Sequence, residues 1–177
     1  ALDARGKSGS LLSPVAGWSM TDGDFLDTFA QIYEARGSIS SQLVLTFSQA
    51  DIDNMPHGAW QALSDMHAFG FRFALAGIEN MDSDFEGLAQ RGFTFVKLPP
   101  SAFIDGVPSR DHFVQPHELC TRLAGAGLTL VAETIDQEDV RAKVFGFGVV
   151  LGQGQLFGGS RQVNLDPAPR NNRSEAA

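Results

Sequence analysis

Residues 72–100, with the sequence RFALAGIENMDSDFEGLAQRGFTFVKLPP, decide the fold of this chain. The apolar run at residues 71–75 predicts a strand that enters a packed interior. Residues 83–86, SDFE, give the S-x-x-E pattern of a helix N-terminus, and Gly92 ends that helix. Residues 93–97, FTFVK, predict a second strand that ends on Lys97. Strand, helix and strand within about thirty residues form a βαβ unit, which implies parallel strands joined by a right-handed crossover.

The same alternation of strands and helices runs through the rest of the chain. Apolar segments rich in β-branched and aromatic residues predict six strands, at 11–15, 42–47, 71–75, 93–97, 128–132 and 147–151. This α/β pattern favours a TIM-like (β/α) barrel over an open parallel sheet. A complete barrel of that type has eight strands, so we expect two strands to lie N-terminal to residue 1.

Composition bounds the classes of function. The hydrophobic content of 43% is enough for one core, so we expect a single domain at residues 1–162. Residues 163–177 include a polar stretch with two prolines and are expected to form a disordered tail. The net charge of −8 argues against nucleic acid and against direct contact with an anionic membrane.

Cysteine usage and hydropathy predict the compartment. The single Cys120 excludes an internal disulfide and a cysteine metal cluster, which is typical of a reducing cytosol. No apolar run approaches the roughly twenty residues that span a bilayer. We therefore expect a cytoplasmic domain. The helix-like start at residues 1–5, ALDAR, is typical of a piece of a longer protein, so a membrane tether N-terminal to residue 1 stays open.

Several strand ends resemble those of the EAL domain, a barrel family that hydrolyses cyclic di-GMP. Residues 131–136, VAETID, are similar to the family's A-E-G-V-E, and residues 153–158, QGQLFG, are similar to its Q-G-Y-L-F-G. Residues 95–99, FVKLP, resemble the Y-L-K-I-D strand, and residues 43–49, LVLTFSQ, lie where the family has L-E-L-E-I-T-E. The resemblance covers residues 11–162 and implies a barrel of the EAL type.

The resemblance implies a chemistry of two divalent cations, held by carboxylates and an asparagine, that activate a water for attack on a phosphodiester. The corresponding positions here are Pro14, Thr46, Ala76 and Gly77, and the second glutamate of E-I-T-E is Gln49. The motif that names the family would precede residue 1. One retained carboxylate, at residue 133, cannot hold two hard cations, because each needs several oxygen ligands. The resemblance therefore implies a degenerate member, a pseudo-phosphodiesterase without Mg²⁺ and without catalytic residues.

Five positions are candidate contacts to cyclic di-GMP: Lys97, Glu133, Gln153, Gly154 and Phe157. Lys97 either meets a phosphate at the barrel mouth or extends to solvent as an ordinary strand-end lysine. Glu133 is expected mainly to form an ion pair with Lys97, and secondarily to contact a ligand. Gln153 and its flanking glycines either present N–H groups to a phosphate or form the turn that closes the barrel. Phe157 either stacks on a guanine or packs in the core.

No other site competes with this one in the sequence. The four histidines share no metal-binding spacing, and no G-x-S-x-G nucleophile elbow is present. The loop at residues 78–82 raises a further hypothesis, in which exposed Ile78 and Met81 form a partner surface.

Within the family, this sequence most resembles the TipF-like regulators of flagellar assembly. The similar segments are residues 47–50, 90–97 and 152–157. That resemblance implies an inactive cyclic di-GMP receptor or adaptor in bacterial signalling, with protein partners in flagellar assembly or motility. The alternative is a protein-interaction scaffold with no affinity for the nucleotide.

Overall fold

A computed structural model describes residues 10–35 and 37–158. Its strands are β1 (Leu11–Pro14), β2 (Leu43–Ser48), β3 (Arg72–Ala76), β4 (Phe93–Leu98), β5 (Val107–Pro108), β6 (Phe113–Val114), β7 (Thr129–Ala132) and β8 (Leu151–Gly152). All except the β5–β6 hairpin belong to one six-stranded sheet with the spatial order β1-β2-β3-β4-β7-β8. Every pair in that sheet is parallel, which confirms the predicted α/β class and the six strands. The sheet curls into a half-barrel whose two edges are β1 and β8.

Helices connect the strands and cover the outer side of the sheet. They are α1 (Gly23–Ala35), α2 (Ile39–Gln42), α3 (Gln49–Asp53), α4 (His57–Ala68), α5 (Phe85–Gln90), α6 (Pro100–Ile104), α7 (Pro116–Gly125) and α8 (Glu138–Phe145), with 3₁₀ turns at Gly17–Thr21 and Gln155–Phe157. No helix in the described ranges has both the length and the hydropathy that crossing a bilayer requires.

The core lies between the sheet and these helices. Alternate strand residues point outward into it, and the rings of Phe47, Phe73 and Phe93 contact one another there at centroid distances of 5.4–6.4 Å. Because side chains alternate along a strand, the intervening residues point to the concave inner face. Val44, Thr46 and Ala74 lie on that inner face and are buried apart from the main cluster.

The central βαβ unit forms as predicted, with a corrected helix cap. Asp84, rather than Ser83, caps α5, because its carboxylate accepts the N–H of Gly87 at 2.9 Å. Gly92 follows α5 with a φ of +93°, a conformation that glycine adopts without steric cost. The chain can therefore reverse directly into β4.

Other boundaries differ from the predictions. The polar sequence of residues 104–116 predicts a loop, but this segment contains the short β5–β6 hairpin, and α6 begins at Pro100. The prolines at 99–100 predict the end of β4, and Pro100 also suits the first turn of α6, because the missing N–H of a proline is not needed there. The sequence of residues 38–41 predicts a turn, and this segment includes the start of the one-turn helix α2.

The last strand and helix also needed correction. The T-x-x-Q sequence of residues 134–137 predicts a capping box, but Thr134 has a φ of +58° and α8 instead starts after Gln137, which makes no side-chain cap. The strand predicted at 147–151 shrinks to Leu151–Gly152. The tail expected at 163–177 lies outside the described residues.

Candidate functional site

Three of the candidate residues meet on the concave face, at the C-terminal ends of neighbouring strands. Lys97 lies opposite Val131 in the β4–β7 ladder, and Val131 lies opposite Leu151 in the β7–β8 ladder. Side chains directly opposite each other share a face, as do residues two apart along a strand. Glu133 and Gln153 therefore share the inner face with Lys97. Parallel α/β folds bind their ligands at this end of the strands.

Lys97 and Glu133 form the ion pair that the sequence predicted. The Lys97 Nζ lies 2.9 Å from the Glu133 Oε2, with the two side chains 15% and 25% exposed. The backbone N–H of Glu133 donates to the carbonyl of Leu98 at 2.9 Å, which fixes the strand end that carries the carboxylate. Since both charges are largely withdrawn from water, each compensates the other.

The backbone of Gln153 is committed to the turn after β8. Its N–H donates to the carbonyl of Ala132 at 2.7 Å, and its carbonyl accepts the N–H of Ile135 at 2.9 Å. Gly154 has a φ of +155°, and a Cβ at that position would collide with the backbone of Ile135. The glycine is therefore required by the turn. The exposed side-chain amide of Gln153 is the part of this segment that faces the inner side of the sheet.

Phe157 lies apart from these groups. Its ring stacks on Phe145 of α8 at a centroid distance of 6.2 Å and lies over Gly152. Gly152 precedes Gln153 in the chain and points to the opposite face, so Phe157 occupies the helix side of the sheet. With 48% of its surface exposed, it is not a core residue either.

The ends of β1, β2 and β3 carry no charged side chain at the corresponding positions, unlike the ends of β4 and β7. Pro14 and Ala76 carry no polar side-chain group, and Gly77 has a φ of +60°. Thr46 is 7% exposed, and its hydroxyl has no hydrogen-bond partner within the described part of the chain. These are the positions at which the EAL resemblance places metal ligands.

These residues do not fit a divalent metal centre. Mg²⁺ and Mn²⁺ are held by several oxygens, most of them from carboxylates. The positions at which the resemblance places ligands offer one hydroxyl, on Thr46, and one carboxylate, on Glu133, which already pairs with Lys97. The Ser48 hydroxyl at the end of β2 is bonded to Asp51. Across residues 10–35 and 37–158, no three His, Cys, Asp or Glu side chains converge as a metal site would require.

Gln49 has a role that the sequence alone did not reveal. It is 1% exposed, and its Oε1 accepts the N–H groups of Glu79 and Asn80 at 2.7 and 3.1 Å. Its Nε2 donates to the Asn80 carbonyl at 2.9 Å and to the Ser83 hydroxyl at 2.7 Å. The glutamine therefore fixes the loop between β3 and α5. The one signal available in the sequence was a polar residue directly after an apolar strand.

The prediction that exposed Ile78 and Met81 form a partner surface on that loop is wrong. Met81 is 1% exposed, and Ile78 is half-buried against the core. The N–H of Met81 donates to the Pro108 carbonyl at 2.9 Å, and Arg122 donates to the Met81 carbonyl at 3.2 Å. The loop is held by the hairpin on one side and by α7 on another, so its methionine points inward.

Neighbouring Asp82 strengthens the same loop. The Ser109 hydroxyl donates to its carboxylate at 2.8 Å and the Arg110 N–H at 3.0 Å. These two donors lower the pKa of Asp82, since they stabilise its charged form.

Asp51 organises the start of α3 in a reciprocal capping box. The N–H of Asp51 donates to the Ser48 hydroxyl at 3.0 Å, and the carboxylate accepts that hydroxyl at 2.6 Å. Gly17 also donates its N–H to the carboxylate, at 3.0 Å. The Ser48 hydroxyl is the main reason that the pKa of Asp51 lies below its usual value, with the backbone donors adding to it.

Comparison with known proteins identifies the family. The sequence model described as the EAL domain matches residues 6–160. No curated protein matches this chain.

Solved EAL structures share the fold. The Xanthomonas citri FimX EAL domain in complex with c-diGMP is 20% identical, with a TM-score of 0.69 over 88% of this chain and 61% of that one. The PaMucR phosphodiesterase in its c-di-GMP complex is 14% identical, with a TM-score of 0.65 over 85% and 61%. The apo S helix-GGDEF-EAL segment of Vibrio cholerae LapD is 15% identical, with a TM-score of 0.68 over 88% and 38%.

Identities this low establish the fold alone. This chain also spans only 38–61% of the length of those three structures. The family model, in contrast, matches most of the sequence, including every strand of the half-barrel. The chain therefore belongs to the EAL domain family.

Proposed function

We propose that this chain is a catalytically inactive EAL domain that serves as a cyclic di-GMP receptor and adaptor in bacterial signalling. The observation that carries the proposal is the 2.9 Å ion pair between Lys97 and Glu133. A protein ammonium neutralises this carboxylate, which is therefore not available as a free metal ligand. The remaining ligand positions of the family pattern carry Pro14, Thr46 and the Ala76–Gly77 pair, whose side chains hold no charge. Catalysis through two divalent cations has no support from such a donor set.

Nucleotide binding draws support from the donors on the concave face. The ammonium of Lys97 and the side-chain amide of Gln153 lie on the same face, and a phosphate accepts hydrogen bonds from both kinds of group. The buried hydroxyl of Thr46, which is unpaired within residues 10–35 and 37–158, adds a third group on that face. In this arrangement Glu133 holds Lys97 in place, and Gly154 holds the turn that presents Gln153. Phe157 supports the turn from the other side.

The ligand is expected to bind without a metal. A phosphate that approaches Lys97 gains its charge compensation from the ammonium, so Mg²⁺ is not required for affinity. Protein partners in flagellar assembly or motility, and a cytoplasmic location, belong to the same proposal. The partners are inferred from the resemblance of residues 47–50, 90–97 and 152–157 to TipF-like regulators, and the location from the single Cys120.

A second candidate function is a protein-interaction scaffold with no affinity for the nucleotide. One observation favours it. Lys97 is the only lysine or arginine at the described C-terminal strand ends of the sheet, and Glu133 already neutralises it. A dianionic ligand would then meet little positive potential.

Two assays on the full-length protein separate these functions. The first incubates cyclic di-GMP with Mg²⁺ or Mn²⁺ and follows the linear product by chromatography; we expect none. The second measures binding by equilibrium dialysis, where Lys97→Met should weaken the affinity about tenfold through loss of a charge-assisted contact. Lys143→Met, on the exposed side of α8, is the matched control and should leave affinity unchanged.

Metal-dependent product formation would overturn the inactive assignment. No retained nucleotide in the dialysis would leave the scaffold function. Equal weakening by the Lys97 and Lys143 variants would show that the nucleotide binds elsewhere on the protein.

A further inference from the structure

A groove with a volume of about 350 Å³ runs between α1 and α4 on the outer side of the sheet. Its floor is an aromatic cluster. The ring of Phe29 lies 5.1 Å from that of Phe71, and the ring of Tyr33 lies 5.3 Å from Phe69 and 5.6 Å from Phe71. Aromatic rings are rigid and supply a large apolar area, which makes such a floor a strong anchor point for a partner side chain.

Helix α1 leaves its apolar side only partly covered. Leu26, Phe29, Ala30 and Tyr33 follow helical spacing and line one wall of the groove, yet no residue of α1 is buried. The opposite wall consists of Ala62 and Met66 of α4, together with Phe69, which is 57% exposed. This 13-residue helix turns an apolar stripe toward an open groove, and it can bury more of that stripe only by packing against a further molecule or segment.

The rim of the groove is acidic. Glu34 on α1 and Asp65 on α4 line it, and none of the ten lining residues within the described ranges 10–35 and 37–158 is Lys, Arg or His. Two more acids of α1, Asp24 and Asp27, are exposed nearby along the same helix. The rim therefore attracts a cationic partner and repels an anionic one.

We propose that this groove binds a basic amphipathic helix of a partner protein. An apolar groove between two helices accepts the i, i+3, i+4 and i+7 side chains of a third helix, and lysines or arginines beside that stripe would meet Glu34 and Asp65. A second copy of this chain would place one acidic rim against another, and an anionic lipid surface would meet the same repulsion. The groove lies on the opposite side of the sheet from Lys97, so a helix bound there would not contact a ligand at Lys97.

The test is fluorescence anisotropy with a labelled, stapled helical peptide that carries leucines at i, i+3, i+4 and i+7 and lysines beside them. A matched peptide has glutamates in place of the lysines. With the full-length protein we expect the basic peptide to bind at least about tenfold more tightly than the acidic one. Ala30→Trp, at an exposed position of the wall, should fill the groove and abolish binding. The double variant Glu34→Lys, Asp65→Lys should reverse the preference.

Two controls keep the outcomes distinct. Phe113→Ser, in the hairpin, removes an aromatic ring that is about as exposed as Phe69 of the groove but lies outside it. Asp139→Lys changes a charge on α8. Neither variant should alter binding. The proposal fails if the basic peptide shows no preference over the acidic one, or if it binds Ala30→Trp as tightly as the parent. It also fails if Ala30→Trp instead abolishes self-association in sedimentation or binding to vesicles that contain phosphatidylglycerol.

Discussion

The two halves of the strand-end rim differ in where their polar side chains go. At the ends of β1, β2 and β3 the inner face carries Pro14, Thr46 and Ala76. The polar residues Gln49 and Asp51, which follow β2, bind the protein's own loops. At the ends of β4, β7 and β8 the inner face keeps the Lys97–Glu133 pair and the Gln153 side chain.

The two halves of the rim therefore use their polar side chains for different purposes. In the first half, hydrogen bonds within the protein fix the loops, so no bound ion is needed to order them. In the second half, the Lys97–Glu133 pair and the Gln153 side chain lie at the strand ends, where the proposed contact to a phosphate would form. The first half therefore shows how the loops are held, and the second half carries the groups on which the proposed nucleotide binding depends.

The largest effect is expected at Gln49. Gln49→Ala leaves the partly buried N–H groups of Glu79 and Asn80 without their acceptor, and a buried donor left unpaired costs about 1–3 kcal/mol. We expect a loss of about 3 kcal/mol in the free energy of unfolding, measured with urea, and faster hydrogen exchange in the loop. Gln61→Ala, which removes one exposed hydrogen bond to Asp65, should cost much less. Equal losses would show that the loop does not depend on Gln49.

A smaller loss is expected from Gly154→Ala in the second half. The added Cβ combines a positive φ with a collision against the backbone of Ile135, so we expect about 2–3 kcal/mol and a lower Tm. Gly148→Ala is the matched control, because its φ is +83° but its Cβ would enter open space. It should cost only about 1 kcal/mol. If the two variants unfold alike, the turn does not depend on the close approach at Gly154.

The ion pair should show coupling of about 1 kcal/mol, since both side chains are mostly but not fully buried. Lys97→Met and Glu133→Gln each leave a partner uncompensated. The double variant should therefore lose less stability than the sum of the two single losses in urea unfolding. Additive losses would mean that the pair contributes nothing beyond its separate residues.

Acid pH should expose the role of Asp51, with the smallest effect. Its pKa is lower in the folded chain, mainly because of the Ser48 hydroxyl, so folding favours the charged form. That stabilisation is complete above the unfolded pKa of about 3.9 and is lost as the pH falls through the folded value. Asp51→Asn should cost about 0.5–1 kcal/mol at neutral pH. The difference from the parent should shrink below about pH 4.

Asp53→Asn, which removes one exposed negative charge at the end of α3, serves as the control for the change in net charge. A deficit of Asp51→Asn that stays constant through the acid range would contradict the shifted carboxyl.

Sequence patterns predicted the sheet well because strand periodicity and burial follow directly from side-chain chemistry. The Lys97–Glu133 pair followed from strand order, since neighbouring parallel strands end at one rim. The start of α8 could not be predicted from the sequence. The S/T-x-x-E/Q pattern at Thr134 carries no information about the φ of +58° that this residue adopts in the turn.

Long-range contacts were also beyond the sequence. The loop sequence predicted an exposed Met81, but the hairpin and α7 cover it through contacts with residues more than twenty-five positions away. The contacts of Gln49 span about thirty positions in the same way. Local patterns carry no information about such partners. The same is true of the acidic groove, which exists only once α1 and α4 lie side by side.

Calorimetric titration of cyclic di-GMP into the full-length protein, with and without Mg²⁺, tests the central claim most directly. The receptor function predicts saturable heat with micromolar or tighter affinity, equal under both conditions and without turnover. Absence of heat together with an unchanged Tm at high ligand concentration would contradict nucleotide binding. Sustained heat that appears only with Mg²⁺ would contradict an inactive domain.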